Sequence, residues 1–149
     1  MTLKQKIYDH YLRLINDKVR LLQQVLADLK ESGSNETKST AGDKHETALA
    51  MLQIEQANTR AQLKEVEEQK AVLEKIDPSI VAKVIVNGSL VKTHRGYLFV
   101  STALGKKIID GVTVIALSPQ SPLGLQLMGA STGAAVEISG NRYIIESVE

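Results

Sequence analysis

Between Tyr8 and Leu29 the apolar residues fall at alternating steps of four and three, at Tyr8, Leu12, Ile15, Val19, Leu22, Leu26 and Leu29. This is the apolar seam of a coiled coil, and it commits the first part of the chain to a long helix with one face in need of a partner. After a break at Glu31-Ser32-Gly33-Ser34-Asn35 the spacing resumes at Leu49, Leu52, Gln56, Thr59, Leu63, Val66, Lys70 and Leu73. Folding back sets Leu29 against Leu49, Leu26 against Leu52, Leu22 against Gln56, Val19 against Thr59, Ile15 against Leu63 and Leu12 against Val66. The residue numbers of every pair add to 78, so one antiparallel register satisfies both seams. Small Ala57 and Ala61 flank the weak middle and would allow close approach. The same stripe would serve a dimer of helix pairs. The short linker and the closing register favour an intramolecular hairpin and a monomer. Arms of roughly thirty residues give a hairpin of about 45 Å, whose tip, about residues 32–46, is its most distinctive place.

Composition changes abruptly at Asp77-Pro78. The first 77 residues carry 12 basic and 13 acidic residues but only two glycines and no proline, whereas the last 72 hold eight of the ten glycines and all three prolines. Residues 1–77 therefore read as the helical hairpin and residues 78–149 as a second domain of strands and turns. Short β-branched runs at Ile80–Val86, Leu90–Thr93, Tyr97–Ser101, Val112–Leu117, Ala134–Ser139 and Tyr143–Val148 predict about six strands. Turn signals separate them at Asn87-Gly88, His94-Arg95-Gly96, Ser118-Pro119 and Ser139-Gly140-Asn141. Between the fourth and fifth runs, Ser121 as a cap, Pro122 at the first helical position and Gly129 as a stop predict a short helix. The fold class is α+β, an antiparallel coiled-coil hairpin followed by a small antiparallel sheet with one short helix.

The formal net charge is +1, which supplies no global field to hold a polyanion. With no cysteine, disulfides, thiolate zinc sites and thiol nucleophiles are excluded, and a reducing compartment fits. No apolar h-region opens the chain, and no run approaches the length of a membrane span. The expectation is a soluble, cytoplasmic protein without membrane contact. One Phe, four Tyr and no Trp are too few for a stacking platform.

Chemistry concentrates at the tip. Asp43 and Glu46 stand three apart at a helix start, which puts two carboxylates on one face, a donor set suited to a hard divalent cation held mostly by someone else. The same spacing is a capping box, with Thr40 and Asp43 offering a second cap, and acids in a first turn also favour the helix dipole. His45 between them reads as a solvated side chain, and His10 and His94 stand apart from any pattern. Neither a Gly-x-Ser-x-Gly elbow nor a GxxxxGK[ST] loop occurs, and Gly129-Ala130-Ser131-Thr132-Gly133 reads as a turn. Lys4, Lys6, Arg13, Lys18, Arg20 and Lys30 leave the first arm basic, and residues 47–77 are acidic, which reads as cross-helix complementarity or a shallow basic track.

Taken together these parts resemble the Gre-type bacterial transcript cleavage factors over nearly the whole chain. Gly42-Asp43-Lys44-His45-Glu46 carries the family's Gly-Asp-x-x-Glu tip pattern. Ser121-Pro122 with Leu127, Gly129, Gly133 and Val136 carries the spacing of its Ser-Pro-x(6)-Gly-x(3)-Gly segment. The resemblance implies an FKBP-like C-terminal domain that docks at the rim of the secondary channel of RNA polymerase, with Ser121, Pro122, Leu127, Gly129 and Gly133 toward the partner. It implies that Asp43 and Glu46 help to hold a shared Mg²⁺ at the polymerase's own centre, acting on the 3′ end of backtracked RNA. The factor would have no cofactor of its own and would not be an enzyme, but would stimulate the polymerase's nuclease. Thr47-Ala48-Leu49-Ala50 replaces the family's Asn-Ala-Glu-Tyr run, and Ala134 stands where an acid often follows the second glycine.

Three rival readings remain at this level. A channel-binding regulator would occupy the same site without promoting cleavage. A peptidyl-prolyl isomerase would need a ring-lined pocket, for which residues 78–149 offer only Tyr97, Phe99 and Tyr143. A coiled-coil chaperone or scaffold would leave its apolar seams open.

Overall fold

The computed structural model describes the backbone of residues 1–37 and 42–149 and the side chains of residues 1–34 and 46–149. Two long helices, α1 (Leu3–Thr37) and α2 (Gly42–Glu74), precede six strands and one short helix, the expected α+β layout. The chain divides into two compact units, residues 14–68 and residues 1–13 with 69–149.

In the unit of residues 14–68 the seam residues are the covered ones. Ile15, Val19 and Thr59 are buried, and Leu22, Leu26, Leu29, Leu49, Leu52, Gln56, Leu63 and Val66 are half-buried, while most of the residues between them are exposed. Each leucine taken from water contributes roughly 25 cal/mol per Å² of apolar area, so a seam of partly covered side chains is held by many small increments. Thr59 occupies a core position without penalty because its hydroxyl donates to the Glu55 carbonyl one turn back, at 2.8 Å.

Three expectations for the hairpin are corrected. The break at Glu31–Asn35 is absent, because α1 continues to Thr37. One interior glycine costs only about 1 kcal/mol, which a helix already committed by its seam absorbs. Second, the amide of Gln56 donates to the carbonyl of Leu29 at 3.3 Å, one heptad beyond the partner expected, Leu22. Third, Ala57 and Ala61 are exposed and do not line the helix contact.

The other unit is built on one sheet. Its strands are β1 (Leu90–Thr93), β2 (Gly96–Val100), β3 (Gly105–Ile109), β4 (Val112–Leu117), β5 (Ala135–Ile138) and β6 (Asn141–Val148), in spatial order β3-β4-β2-β1-β6-β5. Neighbours are antiparallel except β2 and β4, which run parallel with Tyr97 opposite Val114 and Val100 opposite Leu117, so the sheet is mixed. Strand β3, which no apolar run announced, pairs with β4 through a two-residue turn in which Asp110 and Gly111 both have positive φ, 52° and 79°. That is the mirror-image turn whose twist suits a hairpin.

The strand expected at Ile80–Val86 does not form. Among the described residues its one ladder contact is a bridge between Val84 and Ser131, and Ile85 exchanges backbone hydrogen bonds with Gly129 and Ala130. Both sides of β1 are already taken by β2 and β6, so a β-branched segment arriving just before it cannot pair with the strand it leads into.

Alternation along the strands gives the sheet two covered faces. On one, Val91, Leu98, Val100, Leu117, Val136 and Ile145 pack with Leu127 of α3 (Pro122–Leu127) and with Ile85. On the other, Phe99 stacks on Tyr11 of α1, whose hydroxyl donates to the carbonyls of Gly105 and Val114 at 2.9 and 3.3 Å. Ile7 and Leu73 are fully buried in the same unit, and Tyr8 donates to the Leu73 carbonyl at 2.9 Å, which ties the start of α1 to the end of α2.

Candidate functional site

At the start of α2 the backbone is helical from Gly42 onward, so positions 43 and 46 share its first turn, three residues apart. Glu46 is exposed. The side chains of Asp43 and His45, and Thr40 as a cap, lie outside the described residues. Among the described residues no group of three or more His, Asp or Glu is placed to hold a metal ion. Thr47 is exposed, and Ala48 and Leu49 are half-buried.

The Ser-Pro segment is a built helix start. Ser121 caps α3, its Oγ accepting from the Gly124 amide at 3.1 Å and donating to the Ser118 carbonyl at 2.6 Å. Pro122, with its fixed φ and missing N–H, takes the first helical turn, where neither costs anything. Ser118 repeats the device one turn earlier, accepting from the Gln120 amide and donating to the Gln120 side chain. Ser121 is thus committed twice, which defines its local chemistry as capping.

The remaining residues of the segment divide by position. Leu127 is fully buried in the core with Val136. Gly129 and Gly133 are exposed and have positive φ, 83° and 92°, and their amides donate to Ile85 and Ile145. These are left-handed turns for which glycine is the default. Outward from this frame stand Pro122, Leu125 at 67% exposure and Met128 at 39%. Neither Leu125 nor Met128 was singled out from sequence; their place after a cap and a helical proline, off the Leu127 face, was the available signal. Gly124 was also missed. A Cβ there would lie 2.1 Å from the Ser118 carbonyl oxygen and 2.8 Å from Pro119 Cα, so the fold of this loop requires glycine at that position.

On the helix pair, Leu21, Val25, Met51 and Ile54 are exposed apolar residues off the seam. Arg20 pairs with Asp17 one turn away, and Arg13 donates to the Asp9 carbonyl at 3.4 Å. The basic residues of the first arm thus have some partners within their own helix.

Titratable groups with displaced protonation cluster in the unit that carries the sheet. Burial pushes the Tyr11 hydroxyl up to about 12, against a hydrogen bond from the backbone at Ala116. Burial also raises Tyr8, with Glu74, Asp9 and Asp77 adding to it. Lys4 is lowered by burial and partly restored by the charges of Glu149 and Asp77. Asp77 is held below the usual carboxylate range by the Ser79 hydroxyl and then by the Ser79 amide.

Two of the three rings offered for an isomerase pocket, Phe99 and Tyr143, are engaged elsewhere. Phe99 is fully buried under Tyr11, and Arg95 lies 5.7 Å above the Tyr143 ring. The two clefts described in this unit have no aromatic residue in their walls. His94 serves structure, its Nδ1 accepting the Ile144 amide at 3.2 Å beyond the end of β1. Among the described residues no helix is long and apolar enough to cross a membrane.

No protein-family model matches the sequence, and no curated protein matches it either. Among solved structures, one of the transcription factor Gfh1 is similar at 17% identity and a TM-score of 0.37, over 92% of each chain. The GreA factor homolog 1 (Gfh1) protein of Thermus thermophilus is similar at 16% identity and a TM-score of 0.35, over 97% of this chain and 93% of that one.

Proposed function

We propose that the protein is a Gre-type transcription elongation factor that enters the secondary channel of RNA polymerase and stimulates the polymerase's own cleavage of backtracked RNA. The observation that carries this reading is the start of α2, where a Gly-Asp-x-x-Glu motif occupies the first turn of a long helix with Glu46 exposed. A metal ligand must be placed to within about half an ångström, which a first turn continuous with a long helix provides and a free loop does not.

Two carboxylates suit a hard cation, and an exposed Glu46 is open to one. Asp43 and Glu46 would share a Mg²⁺ held mainly by the polymerase. When bound, such an ion favours ionisation of its water and steadies charge on the oxygens of the scissile phosphate. The contribution of this chain is placement, because the seam fixes the helix on which both acids ride. The partner-facing surface of the sheet unit would be Pro122 with Leu125 and Met128, braced by the Ser121 cap and by the Gly129 and Gly133 turns.

The test uses core RNA polymerase in a backtracked complex. Wild type should bind and accelerate cleavage, and the double variant Asp43→Ala, Glu46→Ala should bind equally while losing about a hundredfold or more of the acceleration, the scale of a placed catalytic group. Binding by both proteins without any acceleration identifies the regulator instead. Failure of the wild type to bind removes the polymerase from the proposal.

A further inference from the structure

Lys4, in the first turn of α1, is only 4% exposed. Its ammonium has three hydrogens to donate, and it gives one to the Ile80 carbonyl at 2.6 Å. Among the described residues no ion pair includes Lys4. A buried ammonium with unspent donors is costly unless a further acceptor reaches it.

A cleft of about 240 Å³ opens against this group, within the unit that carries the sheet. Ile76, Ile80 and Val86 give it apolar walls, and Lys75 and Asp77 are the other charged residues lining it. The charged residues that line it, two cations and one anion, sum to a formal charge of +1, and Glu149 acts on Lys4 from outside this lining. The Asp77 carboxylate is already engaged, its Oδ1 accepting from the Ser79 amide at 2.9 Å and the Ser79 hydroxyl at 2.6 Å. Lys4 also forms part of the wall of an adjoining cleft, where Glu149 is the acidic residue.

We propose that the first cleft binds a small aliphatic monocarboxylate, its carboxylate taken by Lys4 and Lys75 and its hydrocarbon lying against Ile76, Ile80 and Val86. One negative charge matches the wall. A phosphate or other dianion meets the fixed carboxylate of Asp77 at short range, and a neutral molecule leaves the Lys4 donors unspent. The volume lies just below the ~300 Å³ at which pockets for drug-sized ligands begin, which limits the ligand to a chain of a few carbons.

The probe is hexanoate, with hexanol and inorganic phosphate as comparators, added to the methyl- and amide-labelled full chain and followed by NMR. Saturable shifts at the methyls of Ile76, Ile80 and Val86 are expected with hexanoate alone. Lys4→Met, which keeps a long apolar stem, should weaken binding at least tenfold, and Asp77→Asn should tighten it severalfold. If Lys4→Met does not fold, Lys75→Met and Asp77→Asn decide, in opposite directions. The assignment is overturned by the absence of saturable shifts, by equal binding of hexanol or phosphate, or by an affinity that Asp77→Asn leaves unchanged.

Discussion

Tyr11 and Phe99 stack with ring centroids 6.1 Å apart and planes inclined by 23°, so the third turn of α1 is fastened to the centre of the sheet through one aromatic contact. The Tyr11 hydroxyl passes beyond the ring to two carbonyls, Gly105 and Val114, on neighbouring strands β3 and β4. Tyr11→Phe keeps the stack and removes the hydroxyl that reaches both carbonyls, and should lower stability by about 1–2 kcal/mol in urea unfolding, the worth of a lost buried hydrogen bond.

The same hydroxyl fixes an alkaline signature. Its ordinary value is 10.0 and burial lifts it to about 12 in the folded chain. Below pH 10 both states hold the proton and pH has no effect through this group. Between about pH 10 and 12 the unfolded chain releases it first, so stability falls as pH rises, by up to about 3 kcal/mol for two pKa units. Tyr8 is raised in the same direction, whereas Lys4 is lowered and acts oppositely. The difference between wild type and Tyr11→Phe isolates the Tyr11 share, and it should shrink across that window. A difference independent of pH would show that the hydroxyl ionises as freely in the folded state as in the unfolded one.

Gly124→Ala tests the loop under α3. The added methyl would lie 2.1 Å from the Ser118 carbonyl oxygen, against backbone that cannot rotate aside. Overpacking commonly costs 1–3 kcal/mol, and with the clash on main chain a loss of about 3 kcal/mol or more is expected in thermal unfolding. Ser121→Ala beside it should cost only about 1 kcal/mol, the worth of a cap. A reversed order of the two would mean that the Ser118–Pro119 turn yields more readily than the helix cap.

How much of this was legible in the sequence depends on whether the cause is local or tertiary. The helix seam was readable because each of its residues repeats the same instruction, and its members from Ile15 to Val66 are covered as expected. The α3 helix was readable because Ser121, Pro122 and Gly129 mark its two ends by local signals. Strand β3 was not, because Lys106 and Lys107 on an edge strand hide the alternation; the Asp110-Gly111 pair was the overlooked sign. Ile80–Val86 was misread because β-branched composition reports willingness to pair, while the strand that follows it, β1, already has a partner on each side. The requirement for Gly124 comes from Ser118 and Pro119 folding back on it, and no local pattern encodes that approach. At the tip, Gly-Asp-x-x-Glu is visible in the sequence, and the first turn of α2 adds the place of its positions and the exposure of Glu46.

Asn16 offers the opposite kind of test, a stabilising one. Its Oδ1 is buried in the unit of residues 14–68 and is the one buried side-chain polar atom without a hydrogen-bond partner among the described residues. It lies beside the buried Ile15, where the helix is already half covered. Removing an unsatisfied acceptor recovers its desolvation cost, about 1–3 kcal/mol, and leucine adds apolar cover and a slightly better helix former. Asn16→Leu should therefore raise the stability of the helix pair by about 1–2 kcal/mol, read by guanidinium unfolding followed by circular dichroism at the helix band. Asn16→Asp should lower it, because a charge would replace a dipole at the same buried point. If leucine destabilises instead, Asn16 has an acceptor role satisfied in solution, and the seam of the hairpin depends on that polar position to hold its register.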